Sequence, residues 1–360
     1  MKRLRLAWQY PRLPLACAVL CAIALSLAAG RMAAATAADG QADVPTEASA
    51  ARYRAGYRRP RTAPHPAGNA RTAARAELGR MLFFDPRLSK SGSMSCATCH
   101  DPGLSWGDGR ALAIGDGRQK LLRRTPTILN LAWAPALAWD GRADSLEEQA
   151  RGPIEAEGEM NMKMDLLISR LQFSAGYRRL FDKAYPGEPI APETMSKAIA
   201  TFERGIVSAD APFDRWVAGD DLAIPENARR GLVLFNEKAR CGVCHSGWRF
   251  TDDGFYDIGV VTTDEGRGKV TPFIELTRFA FKTPTLRNVA QRAPYLHNGS
   301  AATLSDVIDL YDRGGIAKRP SLSPEIKPLG LTAGEKADLM AFLLTLTSAD
   351  PRTPAPVLPR

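Results

Sequence analysis

The pentapeptide Cys-x-x-Cys-His occurs twice in the chain, as Cys96-Ala97-Thr98-Cys99-His100 and as Cys241-Gly242-Val243-Cys244-His245. Nothing else restricts the fold so strongly. Two thiols at i and i+3 can each form a thioether to a porphyrin vinyl group, and the histidine that follows then sits under the iron as proximal ligand. This is the attachment signature of a c-type haem. A redox or zinc Cys-x-x-Cys with a chance histidine is the competing reading, and the repetition weighs against it. Of six cysteines and four histidines, the two motifs take four and two. A chain holding two haems must wrap each in apolar side chains. At 360 residues and 45% hydrophobic content, it is long and apolar enough for two ordinary cores.

The N-terminus reads as an export signal. Lys2, Arg3, Arg5 and Arg12 form a basic stretch, Leu13 to Ala29 is apolar, and small residues follow. The apolar run is short for a membrane span and contains Pro14 and Ser26. Residues 1–37 are therefore expected to be cleaved, which puts the mature protein in the periplasm with no membrane span; a retained anchor is the alternative. Cys17 and Cys21 leave with the leader, and no thiol then remains for a disulfide. The leader carries five basic residues and no acidic one, so its removal takes the net charge from +9 to +4. No nucleic-acid footprint is left. Residues 38–70 are rich in Ala, Arg and Pro and are expected to be a flexible arm, with a solvated His65.

Beyond the arm the periodicity is helical. Apolar residues recur at helix spacing over 70–84, 163–173, 193–207 and 227–235, and capping boxes at Ser145 and Thr332 open further helices. No run of alternating strands occurs. The expected fold is mostly α, with two cytochrome c-like domains related by an internal repeat, 71–215 and 216–348, each carrying one covalently bound c-type haem. A Pro-rich tail, 349–360, is expected to be extended.

The repeat can be followed residue by residue. Gly79-x-x-Leu82-Phe83 precedes the first motif and Gly231-x-x-Leu234-Phe235 the second. Downstream, Thr125-Pro126-Thr127 matches Thr283-Pro284-Thr285, and Asn130 matches Asn288. Trp139-Asp140-Gly141 matches His297-Asn298-Gly299, and Ser145-Leu146 matches Thr303-Leu304. Carried seven residues further, the register sets Pro153 against Tyr311. If these positions face equivalent sides of the two haems, the second has a phenol as axial ligand and the first has a proline, which cannot ligate iron. One iron would be open and the other closed.

Several stretches then resemble a known family. They are Leu78-Gly79-Arg80-Met81-Leu82-Phe83-Phe84-Asp85-Pro86, Trp139-Asp140-Gly141-Arg142-Ala143, Glu148-Gln149-Ala150, Gly152-Pro153-Ile154-Glu155, Glu159-Met160-Asn161, Thr283-Pro284-Thr285-Leu286-Arg287-Asn288 and Ala293-Pro294-Tyr295-Leu296-His297-Asn298-Gly299. The chain is similar over residues 76–346 to the bacterial dihaem cytochrome c peroxidases, and among them to the MauG-type branch. The resemblance implies that the first haem is peroxidatic, that Gln149, Pro153 and Glu159 line its distal side, and that Glu159 is the acid/base. It implies that Trp139 relays electrons between the haems. The family's distal histidine is absent, because its Ile-Gly-His-Gly stretch reads Ile114-Gly115-Asp116-Gly117 here, and Tyr311 replaces the methionine of the second haem. Both departures point to the MauG-type branch and to activity without prior reduction.

The family also binds calcium between its haems, through an Asn before the Thr-Pro-Thr segment and two carbonyls beside Ala-Pro-Tyr. Here Arg124 stands at the Asn position, and the carbonyls belong to Arg292 and Pro294. A cation cannot ligate calcium. Either the guanidinium fills the site or a neighbour such as Asn130 substitutes. The function expected first is reduction of hydrogen peroxide, with electrons from a small cytochrome c or copper protein. The alternative is a MauG-like enzyme that oxidises side chains of a partner protein; a non-enzymatic electron carrier ranks third.

Overall fold

The structure, a computed structural model, describes residues 43–360, so the expected signal segment lies outside the described residues. Among them, no helix is long and apolar enough to cross a membrane. The secondary structure is helical apart from two short strands, β1 (Phe255–Tyr256) and β2 (Phe281–Lys282), paired antiparallel with Phe255 opposite Lys282.

The stretch expected to be a flexible arm contains helix α1 (Glu47–Gly56). Thr46 caps it by accepting a hydrogen bond from Ser49 N. Tyr53 and Tyr57 lie on one face and are buried. Tyr57 donates to Asn236 Oδ1 at 2.7 Å, and its ring stacks on Phe250 at 4.8 Å. Composition hid this helix, because Ala and Arg serve a linker and an amphipathic helix equally. Only the i,i+4 tyrosine pair separates the two. His65, expected to be solvated, is half-buried.

The first half continues with α2 (Ala73–Phe84), α3 (Cys96–Cys99), α4 (Leu146–Gln149), α5 (Gly152–Glu155), α6 (Met164–Phe173), α7 (Ala175–Ala184) and α8 (Pro192–Glu203). The second half has α9 (Pro212–Val217), α10 (Glu226–Asn236), α11 (Leu304–Asp312) and α12 (Ala333–Leu344). Each half has its own apolar core. Leu78, Leu82 and Phe83 of α2 meet Leu167, Phe181, Met195 and Ile199. Phe213, Trp216, Leu232, Phe235, Phe250 and Phe342 form the other core, which also receives Tyr53 and Tyr57. The two cores lie in the two halves of one compact unit, residues 42–360.

The repeat is visible in backbone detail. Gly79 of α2 lies where that helix crosses α8, and a Cβ there would stand 1.9 Å from the Ala198 carbonyl oxygen. Gly231 of α10 crosses α12 in the same way, 2.0 Å from the Asp338 oxygen. Only glycine permits either crossing. Asn130 and Asn288 do equivalent work too. Asn130 Oδ1 accepts from Ser208 N at 3.1 Å, and Asn288 Oδ1 from Ser348 N at 2.9 Å. Each ties its loop to the segment that leaves the last helix of its half.

The Pro-rich tail is extended, and it is also docked. Arg87 Nη2 donates to the Pro359 carbonyl at 2.7 Å, and Gly176 N to the Arg360 carbonyl at 3.0 Å. The last residues of the chain thus pack on the first half, while α1 packs on the second.

Candidate haem and catalytic site

The first motif forms α3, opened by Ser95, whose N–H donates to Thr98 Oγ1 at 2.9 Å. The second begins with a single 3-10 turn, Cys241–Val243. In both, the histidine ring is oriented by a main-chain carbonyl. His100 Nδ1 lies 3.1 Å from Trp106 O, and His245 Nδ1 lies 2.8 Å from Phe250 O. A carbonyl can only accept, so the proton is on Nδ1 and the Nε2 lone pair is free for a metal. Burial lowers the pKa of both rings below the usual histidine value, which keeps them neutral, as a ligand must be.

All four cysteines and both histidines line one continuous cavity of about 780 Å³. None of the four thiols is in a disulfide. Among the described residues, no three His, Cys, Asp or Glu side chains converge as a metal-holding group. The walls are apolar beside both motifs, with Met94, Ile128, Leu129 and Ile199 in the first half and Phe235, Leu304, Ile308 and Leu339 in the second. Two buried guanidinium groups, Arg124 and Arg292, also line the cavity, and neither forms an ion pair; the Nε of each lacks a partner. An apolar slot with a covalent anchor, a neutral axial nitrogen and unbalanced cations fits an iron porphyrin, which brings its own carboxylates.

The predicted distal residues come to the same cavity. Gln149, Pro153 and Glu159 line it in the first half, and Val307 and Tyr311, at the matching positions, line it in the second. Glu159 sits on a loop held from several sides. Glu159 N donates to Ala156 O at 2.9 Å, Met160 N to Pro153 O at 3.0 Å, and Asp116 N to Glu159 O at 2.6 Å. Gly115 makes that last approach feasible, since a Cβ there would fall 1.8 Å from Gly158 O. Burial raises the Glu159 pKa above the usual carboxylate value, opposed by the Arg142 guanidinium 4.0 Å away. Asp116 does not line the cavity; its carboxylate accepts a hydrogen bond from Ser91 Oγ. The Tyr311 pKa is raised by burial first and then by Cys241 and Cys244, so the phenol lies close to the second attachment site.

Trp139 lines the cavity and is fixed at both ends of the residue. Its Nε1 donates to Arg124 O at 2.9 Å, and its carbonyl accepts from Lys282 N at 2.8 Å. Its ring lies 6.5 Å from that of His297, which stacks on Phe281 at 3.6 Å. Burial lowers the His297 pKa to about 4.

Two features escaped the sequence reading. Arg123 bridges the halves, pairing with Asp140 at 2.7 Å and with Asp264 at 2.5 Å. Glu203, at the end of α8, is a buried carboxyl on the cavity wall; its Oε2 has no partner among the described residues and burial pushes its pKa to about 8. The only sequence signal for it was an acid at the C-terminus of an otherwise apolar helix face, where the macrodipole disfavours negative charge.

The family description that matches the chain is Di-haem cytochrome c peroxidase, over residues 73–222. The chain is 52% identical over 305 residues to the methylamine utilization protein MauG of Methylorubrum extorquens, covering 84% of this chain and 86% of that one. It is 35% identical to the cytochrome c551 peroxidase of Pseudomonas aeruginosa, covering 79% and 81%. Among solved structures, it is similar to a MauG-like protein associated with microbial copper homeostasis, with TM-score 0.74 and 33% identity over 81% of this chain and 95% of that one.

Proposed function

Because this chain belongs to the dihaem cytochrome c peroxidase family, whose members are oxidoreductases, we propose that it is a MauG-like enzyme that uses hydrogen peroxide to oxidise side chains of a partner protein in the periplasm. The similarity to the Methylorubrum protein moves the reading from simple peroxide reduction, expected first, to this alternative. Two c-type haems, bound through Cys96, Cys99 and His100 and through Cys241, Cys244 and His245, would supply the peroxide chemistry and the storage of oxidising equivalents. Residues 1–37 would be the export signal.

The observation that carries the proposal is the inequality of two matched positions. Pro153 and Tyr311 both line the cavity, and only one has an atom that can ligate iron. Asp116 is bonded to Ser91 rather than aimed at the first site. The first site would thereby be left open for a small oxidant, while Tyr311 would supply the second ligand of the other haem. Glu159, kept protonated to higher pH than an ordinary carboxylic acid by burial, would deliver a proton to the departing peroxide oxygen. Gln149 beside it would orient the peroxide. Trp139, fixed through Arg124 O and Lys282 N, would provide the aromatic step between the halves.

The test is optical and EPR spectroscopy of the oxidised holoprotein before and after one equivalent of peroxide. A high-spin first haem, a second haem that loses its signature when Tyr311 is replaced, and a slow decay of the oxidised state support the proposal. A low-spin six-coordinate first haem in the resting oxidised protein refutes it. Rapid turnover with reduced cytochrome c would return the reading to a peroxidase.

A further inference from the structure

The main-chain carbonyls of Arg292 and Pro294 converge on one atom, Nη1 of Arg124, which donates to Arg292 O at 2.9 Å and also to Pro294 O. The same residue is engaged at its backbone. Arg124 N donates to His297 O at 2.8 Å, and Arg124 O accepts from Trp139 Nε1 at 2.9 Å. Arg124 is only 8% exposed and forms no ion pair among the described residues. One buried residue therefore meets the Trp139 indole and three carbonyls of the Arg292–His297 segment, its guanidinium taking two of those carbonyls and its main chain making the other two contacts.

These are the carbonyls that the family resemblance assigns to calcium, and the residues do not fit that ion. Calcium takes about six to eight oxygen ligands, carboxylates prominent among them. Here both carbonyls already accept from a guanidinium, and a second buried guanidinium, Arg292, lies close enough to Arg124 for their charges to repel. Asn130 does not substitute, because its amide oxygen accepts from Ser208 N at 3.1 Å in the first half's own loop closure. A divalent cation added here would face two fixed guanidinium charges and two carbonyls already engaged, with Asp108 the carboxylate whose charge acts on Arg124.

We propose that the Arg124 guanidinium is the resident cation of this chain: it holds the Arg292 and Pro294 carbonyls and thereby fixes the residue whose main-chain carbonyl accepts from the Trp139 indole, and the region between the halves binds no calcium. It would do so whichever reaction the haems carry out.

The experiment uses the holoprotein. Metal analysis of protein purified in calcium-containing buffer is expected to find well under one calcium per chain, and EGTA is expected to leave the resting optical and EPR spectra unchanged. One tightly held calcium, or spectra that shift on chelation, overturns the proposal. Arg124→Met removes the charge and keeps the stem. It is expected to slow peroxide-driven oxidation of the second haem by at least about tenfold while the resting ligation of both haems is retained. Arg124→Lys, which still offers a cation to the carbonyls, is expected to recover most of that loss. An Arg124→Met protein with the parent's rate overturns the role given to the guanidinium. If neither variant folds, or if the parent ignores peroxide, calcium content and chelator response still decide.

Discussion

Replacing Glu159 by Gln separates chemistry from architecture at this site. The substitution keeps the shape and removes the transferable proton. Among the described residues, the ion pair at risk is the one with Arg142, at 4.0 Å and with the arginine side chain 52% exposed. A pair that long and that open is worth at most about 1 kcal/mol. The loop itself is held by backbone bonds from Glu159, Met160 and Asp116, which the substitution leaves in place. Stability should therefore change by less than about 1 kcal/mol, a shift of a few degrees in Tm at most. The rate should change far more. A positioned acid/base contributes roughly 100- to 10,000-fold, equivalent to about 3–5 kcal/mol of barrier. Stopped-flow mixing of oxidised holoprotein with peroxide, followed at the haem absorbance, measures this directly. The parent's rate should also fall as pH rises through the elevated Glu159 pKa, and that inflection should vanish in the variant. A variant within about threefold of the parent, with the inflection retained, refutes the assignment of Glu159.

Three further outcomes follow from the same geometry. Tyr311→Phe should change the resting spectrum of the second haem and leave the first unaltered, whereas a spectrum identical to the parent's removes Tyr311 as a ligand. Gly79→Ala should destabilise the holoprotein by at least about 1–3 kcal/mol in chemical denaturation, because the added methyl meets the Ala198 backbone rather than a side chain that can swing away; Gly231→Ala should do the same in the second half. Glu203 has its folded pKa raised to about 8, so its proton is held in the fold and released in the unfolded chain, and stability is lost as pH rises from the ordinary carboxylate range to about 8. Glu203→Gln should flatten that part of the thermal-unfolding profile, by an amount on the order of 1–4 kcal/mol at the alkaline end.

Much of the site could be read from the sequence because covalent attachment needs a fixed spacing. Cys96, Cys99, His100 and their counterparts line one cavity, and Pro153 and Tyr311 line it too. The capping box at Thr332 and the short helix opened by Ser145 appear where their side chains predict. What escaped was long-range. Helix α1 carries only two apolar anchors, and they matter only because Asn236 and Phe250, far along the chain, receive them. The docking of residues 359–360 depends on Arg87 and on the absence of a side chain at Gly176, neither of which marks itself in sequence. Helix α7 was legible and passed over: Ser174 caps it and Tyr177 and Phe181 recur at i,i+4. Glu203 looked like any helix-terminal acid until burial removed its water.

The two halves share so many backbone devices that their difference must come from few residues, and Pro153 accounts for two consequences at once. In the second half, α11 runs unbroken from Leu304 to Asp312 and carries Tyr311 to the cavity wall. The equivalent stretch of the first half is split into α4 and α5. A proline inside a helix lacks the N–H for its i−4 carbonyl and clashes with it, at a cost of about 3 kcal/mol, so the helix breaks before residue 153. The restarted turn ends at Glu155, and the chain folds back on it: Met160 N reaches Pro153 O at 3.0 Å and Met162 N reaches Ile154 O at 2.8 Å. That return is the loop that presents Glu159. One residue type thus offers no ligand atom at the cavity wall and also opens the turn that presents Glu159. Replacing Pro153 with tyrosine would therefore not convert the first half into a copy of the second, since Gly152 and the 156–162 loop would still interrupt the helix.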